Sequence, residues 1–219
     1  MTLHVLGISM SPRGRSNSDA LLAEALHGAE GDGAATEHVR LRDLDVAPCR
    51  ACEACAKTGA CVVQDDFQSV RDRLLAADRL VVATPVHFMG PSALGKALID
   101  RCQSLWSRKY RLKEPLFADG PRDRRALVIA LGGSKAKRMF DGIRLTMRYW
   151  LDALEMAYVA NLLVRCVDAP GAVRDDPTIM GEACRLGAAL ADPDAVLPPE
   201  PADVILTGHD PGAASGGRA

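Results

Sequence analysis

Four of the chain's 7 cysteines crowd into one short stretch, Cys49, Cys52, Cys55 and Cys61, with the spacing C-x2-C-x2-C-x5-C. Cysteines clustered this way bind metal or carry redox chemistry. Three thiolates two residues apart can curl around one small face, and the fourth can close the cage. That suits a 4Fe–4S cluster, which takes four cysteine sulfurs converging on one volume. It suits zinc less well, because structural zinc usually takes two ligand pairs with a longer spacer. Disulfides fit poorly, since cysteines this close in sequence rarely meet the bridge geometry. Unmetallated thiols are the third reading. Lys57 lies inside the stretch, where a nearby positive charge would favour a reduced cluster; a solvated loop lysine is the plainer reading. Cys102, Cys166 and Cys184 stand alone and are expected to pack as small hydrophobes.

A second polar set follows the first apolar run. Residues 9 to 18 bring hydroxyls, an amide and the guanidinium groups of Arg13 and Arg15 to the start of a helix. A helix N-terminus is a ready phosphate site. The loop has neither G-x-x-x-x-G-K-[ST] nor G-x-G-x-x-G, so a monophosphate fits better than a triphosphate or a dinucleotide. The loop Thr84-Pro85-Val86-His87-Phe88-Met89-Gly90 joins a rigid turn to flat or soft side chains and can wrap a planar ring. Gly132, Gly133 and Ser134 let backbone approach a ligand closely. A phosphate joined to a flat ring is the shape of FMN. The candidate contacts are Ser9, Ser11, Arg13, Ser16, Asn17, Ser18, Pro85, Val86, His87, Phe88, Gly132, Gly133 and Ser134. No catalytic side chain is expected, because the cofactors carry the chemistry. The basic and aromatic run Trp106–Arg111 is read as a solvated helix end rather than a nucleotide clamp. Asp100 and Arg101 are read as a structural ion pair.

The elements that must position these loops alternate along the chain. Short apolar runs predict strands at Leu3–Ile8, Glu37–Leu41, Leu80–Ala83, Ala126–Leu131 and Val159–Arg165. Between and after them, helices are predicted at Asp19–Leu26, capped by Asn17 or Ser18, and at Phe67–Ala77, Ser92–Trp106, Met139–Glu155 and Thr178–Leu190. Asp65 and Asp66 place acidic residues at the positive end of the second helix. This pattern predicts an α/β doubly wound domain over 1–191, a five-stranded parallel sheet with helices on both faces. The cysteine loop, 46–64, is inserted after the second strand. Residues 192–219, rich in Pro, Gly and Ala, are expected to form a flexible tail. Any ligand should lie at the carboxyl ends of the strands, where strand order reverses.

Of the 219 residues, 48% are hydrophobic and 25% charged, which allows a sizeable core. The net charge of −1 gives no electrostatic case for nucleic acid or an acidic membrane surface. No run is long enough to span a bilayer. The first residues do not read as a signal peptide. The expected compartment is the reducing cytoplasm.

The first loop (Gly7 to Ser18), the four cysteines followed by Asp65-Asp66, Thr84-Pro85-Val86-His87-Phe88, and Lys96-Ala-Leu-Ile-Asp100-Arg101 together resemble the flavodoxin-like NAD(P)H-dependent FMN reductase superfamily. The cysteine motif resembles its iron–sulfur flavoprotein branch. The resemblance covers the first half of the chain in detail and the rest by topology. It implies FMN with its phosphate in the first loop, and a 4Fe–4S cluster near the flavin. NAD(P)H or reduced ferredoxin would be the electron donor, and a quinone or other small molecule the acceptor. It also implies a homodimer or homotetramer. His87 stands where many such relatives carry Tyr. A non-enzymatic electron carrier, a plain FMN reductase and a cysteine-regulated module without flavin are the competing functions.

Overall fold

The computed structural model describes residues 2–208. Six strands form one parallel sheet: β1 (His4–Ser9), β2 (Ala35–Arg40), β3 (Arg79–Pro85), β4 (Arg125–Gly132), β5 (Ala157–Arg165) and β6 (Ala202–Thr207). The helices are α1 (Asn17–Gly31), α2 (Cys55–Thr58), α3 (Phe67–Ala76), α4 (Ala93–Arg101), α5 (Gln103–Trp106), α6 (Asp141–Ala153) and α7 (Pro177–Ala191). Strand order is β2-β1-β3-β4-β5-β6, with every neighbouring pair parallel. The connection direction reverses between β1 and β3, and that crevice is where this topology places ligands.

The central strands are apolar on both faces because both faces are covered. Leu80, Val82, Ala126 and Val128 point into a core shared with Phe67, Leu74, Leu98, Ile143 and Met147 of α3, α4 and α6. The alternate residues Val81, Ala83, Leu127 and Ile129 pack under Leu21, Leu22, Ile179 and Leu186 of α1 and α7. The crossing of α1 and α7 is unusually close. A Cβ on Gly187 would sit 1.8 Å from the Ala25 carbonyl oxygen, and one on Gly28 would sit 2.0 Å from that of Cys184. Only residues without a side chain let the two backbones touch.

The five-stranded expectation is corrected to six. The sixth strand comes from the stretch expected as a flexible tail. Asp203-Val204-Ile205-Leu206 carries enough branched apolar character to pair along β5. Asp203 accepts hydrogen bonds from Asn161 Nδ2 (2.8 Å) and from Arg144 of α6 (2.7 Å). Residues 209–219 of the expected tail lie outside the described residues. The helix expected over Ser92–Trp106 breaks at Cys102, and a π-helical turn follows at Ser107–Arg111. The first helix is capped by Ser16, not by Asn17 or Ser18. Ser16 Oγ accepts from the Asp19 N–H at 3.0 Å. Among the described residues no helix is long and apolar enough to cross a membrane.

Candidate functional site

The loops after β1, β3, β4 and β5 meet at the carboxyl end of the sheet. They line a cavity of about 90 Å³. Ser11, Arg13, Ser16, Asn17, Ser18, Pro85, Val86, His87, Gly132 and Gly133 line it together. Three expected residues do not. Ser9 is buried and donates its hydroxyl to Asp19. Phe88 is fully exposed at the tip of the loop. Ser134 is exposed and accepts from the Ala136 N–H. The loop after β5 adds Val167, Asp168 and Pro170, which sequence reasoning missed. Its position at the carboxyl end of β5, a strand the sequence predicts, is the signal that could have found it.

The cavity wall is built from the helix start. Ser11, Ser16 and Ser18 are all buried. The first N–H groups of α1 have no carbonyl of their own helix to reach, and the macrodipole leaves a partial positive charge there. Asp19 sits in the same turn, but Arg42 Nη1 donates to its carboxylate at 2.6 Å and offsets its charge. Asn17 is pinned: its amide donates to the Ala169 carbonyl (2.9 Å) and its oxygen accepts from the Val173 N–H (3.3 Å). Arg13 Nη1 donates to the Asp168 carbonyl at 3.3 Å, with the guanidinium more than half exposed. The hydroxyls, helix start and guanidinium suit an oxyanion. The cavity has room for a group the size of a phosphate. Val86 and His87 on its wall begin the Val86–Gly90 turn. Phe88 and Met89 adopt φ of 50° and 65° there, and His87 and Gly90 exchange backbone hydrogen bonds. Two side-chain-bearing residues in the left-handed region hold this turn in a strained shape.

The four cysteines line a second cavity, of about 410 Å³, with Arg50, Arg101, Ser107 and Arg111. Ala51 (φ 51°) and Glu53 (φ 59°) flank Cys52 in the left-handed region. These reversals turn Cys49, Cys52 and Cys55 toward one space. Lys57 is exposed and is not part of that wall. Among the described residues no group of three or more His, Cys, Asp or Glu side chains is drawn close enough to hold a metal ion. The four cysteines share the wall of one cavity without closing on a common point. Cys52 is exposed, and the Ala54 backbone N–H, with help from Arg50, lowers its thiol from the usual range. Cys55 accepts from the Ser107 hydroxyl at 3.8 Å. By contrast, burial pushes the isolated Cys102 thiol up to about 12, so it stays protonated and inert. The expected Asp100–Arg101 pair does not form. Lys96 takes Asp100 at 2.6 Å, and Arg101 takes Asp65 at 2.6 Å across the cysteine loop.

Helix α4 ties the two cavities. Its N-cap Ser92 accepts from the Gly95 N–H (3.1 Å) and donates to the Met10 carbonyl of the first loop. Its last residue, Arg101, holds the cysteine loop. The Ser107–Arg111 turn beyond α5 is docked rather than merely solvated: Lys109 donates to Asp152 at 3.0 Å, and Tyr110 also donates to Asp152.

Residues 3–164 match the family described as NADPH-dependent FMN reductase. The chain belongs to that family. Within this FMN reductase family, the chain is 34% identical over 133 residues to an iron–sulfur flavoprotein of Methanosarcina thermophila. That alignment covers 61% of this chain and 65% of that protein. An iron–sulfur flavoprotein of Methanocaldococcus jannaschii is 37% identical over 103 residues, 47% of this chain and 53% of that protein. The chain thus spans less than two thirds of the length of either relative. The fold of an NAD(P)H:quinone oxidoreductase from Methanothermobacter marburgensis superposes with a TM-score of 0.63. It does so at 18% identity, over 88% of this chain and 98% of that one.

Proposed function

We propose that this protein is an FMN-dependent oxidoreductase that takes electrons from NAD(P)H and delivers them through FMN and a 4Fe–4S cluster to a small acceptor such as a quinone. The observation that carries this reading is the small polar cavity at the start of α1, lined by three serines and Arg13 beside Pro85, Val86, His87 and the Gly132–Gly133 backbone. Family membership and the names of the two archaeal relatives support it.

Bound FMN accepts a hydride and releases electrons singly, and an iron–sulfur cluster carries one electron at a time. The chain's own residues bind and orient. The hydroxyls of Ser11, Ser16 and Ser18 and the first N–H groups of α1 would hold the phosphate. Arg13 would swing from the Asp168 carbonyl to add a charge-assisted bond. Val86 and His87 would meet the ring along one edge, and Gly132 and Gly133 along another. Phe88, fully exposed, would cover the ring face or meet a second copy of the chain. Exposed Leu145 and Tyr149, four residues apart on α6, support self-association as a dimer or tetramer. Cys49, Cys52, Cys55 and Cys61 would ligate the cluster.

Anaerobic purification with iron, sulfide and flavin analysis tests the reading. About four irons and one FMN per chain support it. FMN without iron leaves a plain FMN reductase. Flavin that neither NADH nor NADPH reduces favours an electron carrier, and a preparation without flavin overturns the proposal.

A further inference from the structure

Arg101 has a side chain only 1% exposed, and every N–H of its guanidinium is engaged. Nη1 donates to Asp65 Oδ2 (2.6 Å) and to the Ala47 carbonyl (2.9 Å). Nη2 donates to the Val63 carbonyl (3.0 Å) and to Asp65 Oδ1 (3.1 Å). Nε donates to Cys61 Sγ at 3.2 Å. A guanidinium has five donors in a fixed fork, and here each has a partner. The group also lies over the Phe67 ring, 4.5 Å from its centroid. One side chain therefore grips the cysteine loop at its entry, at its exit and at the sulfur of its fourth cysteine. Lysine could not do this, because its ammonium is a point charge without the planar fork.

The charge matters as well as the grip. Asp65 is the carboxylate partner of Arg101, and it is itself 7% exposed. Arg50 and Arg111 also line the cavity, but both are exposed, so water and salt screen them. Arg101 is the cavity's buried cation. Hydrogen bonds to the sulfurs and local charge set the potential of an iron–sulfur centre.

We propose that Arg101 is a positioning residue for the four-cysteine site: it fixes Cys61 Sγ on the cavity wall, and its buried charge favours the reduced, more negative state. This rests on the reading that the four cysteines hold an iron–sulfur cluster. The redox step is one electron gained by the cluster from an external reductant, with no bond made or broken in the protein. Asp65 opposes the effect of Arg101, so the two residues should act on the potential with opposite signs.

The test uses the full chain, wild type and the variants Arg101→Gln, Arg101→Lys and Asp65→Asn, reconstituted anaerobically with ferrous iron and sulfide. Iron and sulfide are counted, and the potential is read by dithionite titration with redox dyes. For Arg101→Gln the reduced-to-oxidised ratio at a fixed potential should fall at least tenfold, a shift of about 59 mV to the negative for one electron. Arg101→Lys should shift the same way by less, and Asp65→Asn should shift positive. A purely structural role would lower the iron content of all three and leave the potential of any remaining cluster unchanged. That result overturns the proposal, as does an Asp65→Asn shift of the same sign as Arg101→Gln. Should Arg101→Gln lose its iron entirely, the signs for Arg101→Lys and Asp65→Asn decide. A wild type that takes up no iron removes the cluster reading and this assignment together. A wild type that takes up iron with variants at its own potential removes this assignment alone.

Discussion

Gly187 of α7 lies against Ala25 of α1 so closely that an added methyl carbon would sit 1.8 Å from the Ala25 carbonyl oxygen. The atom in the way is backbone, which cannot rotate aside. This contact, at the middle of α1, sets how the helix lies on the sheet, and α1 presents the candidate phosphate site at its N-terminus. Gly187→Ala should destabilise the protein by about 2–3 kcal/mol, the upper range for an overpacked core. Gly181 lies on the same helix with nothing within 4 Å of its would-be Cβ. Gly181→Ala should stabilise by about 0.4–1 kcal/mol. Urea unfolding of both variants reads the contrast; equal effects would show that helix propensity, not contact, governs Gly187.

Ser16 serves the helix before it serves any ligand. Its Oγ accepts from the Asp19 N–H at 3.0 Å. Ser16→Ala should cost about 1 kcal/mol and Ser16→Gly only a few tenths. FMN titrations on the two should show weakened binding in both, because both remove the same hydroxyl from the cavity. Wild-type affinity in Ser16→Gly would exclude Ser16 from the phosphate contacts.

Asp123 bridges two buried cations, accepting from Arg125 Nε at 2.9 Å and Arg79 Nη2 at 3.0 Å. Arg125 chiefly, with Arg79, holds its carboxyl below the usual carboxylate range, against a partial burial penalty. A depressed folded-state value means the stabilisation is present above the unfolded value near pH 3.9. It is lost as pH falls through the lower folded value. Asp123→Asn should cost about 1–2 kcal/mol at pH 7, discounted because Asp123 is half exposed. Its melting temperature should also fall less steeply than that of the wild type below about pH 4. Parallel curves for the two proteins would remove Asp123 from the acid response.

The cysteines divide into two classes by environment. Cys49, Cys52, Cys55 and Cys61 share one cavity, whereas Cys102 is buried beside Trp150. Serine at any of the four should abolish or sharply cut iron incorporation. Cys184→Ser, at an isolated half-buried site on α7, should bind iron as the wild type does. Iron analysis after anaerobic reconstitution separates the classes, and equal iron in Cys61→Ser and Cys184→Ser would contradict them.

Five strands and the long helices were legible because unbroken apolar runs such as Leu80–Ala83 report burial on both faces. β6 was not, because Val204–Leu206 sits amid proline and glycine, and only the exposed edge of β5 gives it a partner. That the first loop lines a cavity was readable from its hydroxyls and its place before a helix. The cap assignment slipped because Ser16, Asn17 and Ser18 are all good caps and only the backbone decides among them. The link from Arg101 to Asp65 spans 36 residues, and no local spacing announces it. Phe88 lay in the right loop, but its left-handed backbone turns it outward.

The most direct test compares riboflavin 5′-phosphate with riboflavin in a fluorescence titration of flavin-free protein. The two ligands share the ring and differ by the phosphate that Ser11, Ser16, Ser18 and Arg13 are assigned to hold. Two charge-assisted hydrogen bonds alone would separate them by about 100-fold. The account predicts one riboflavin 5′-phosphate bound per chain, with riboflavin at least that much weaker. Equal affinities, or no binding of either flavin, would contradict it.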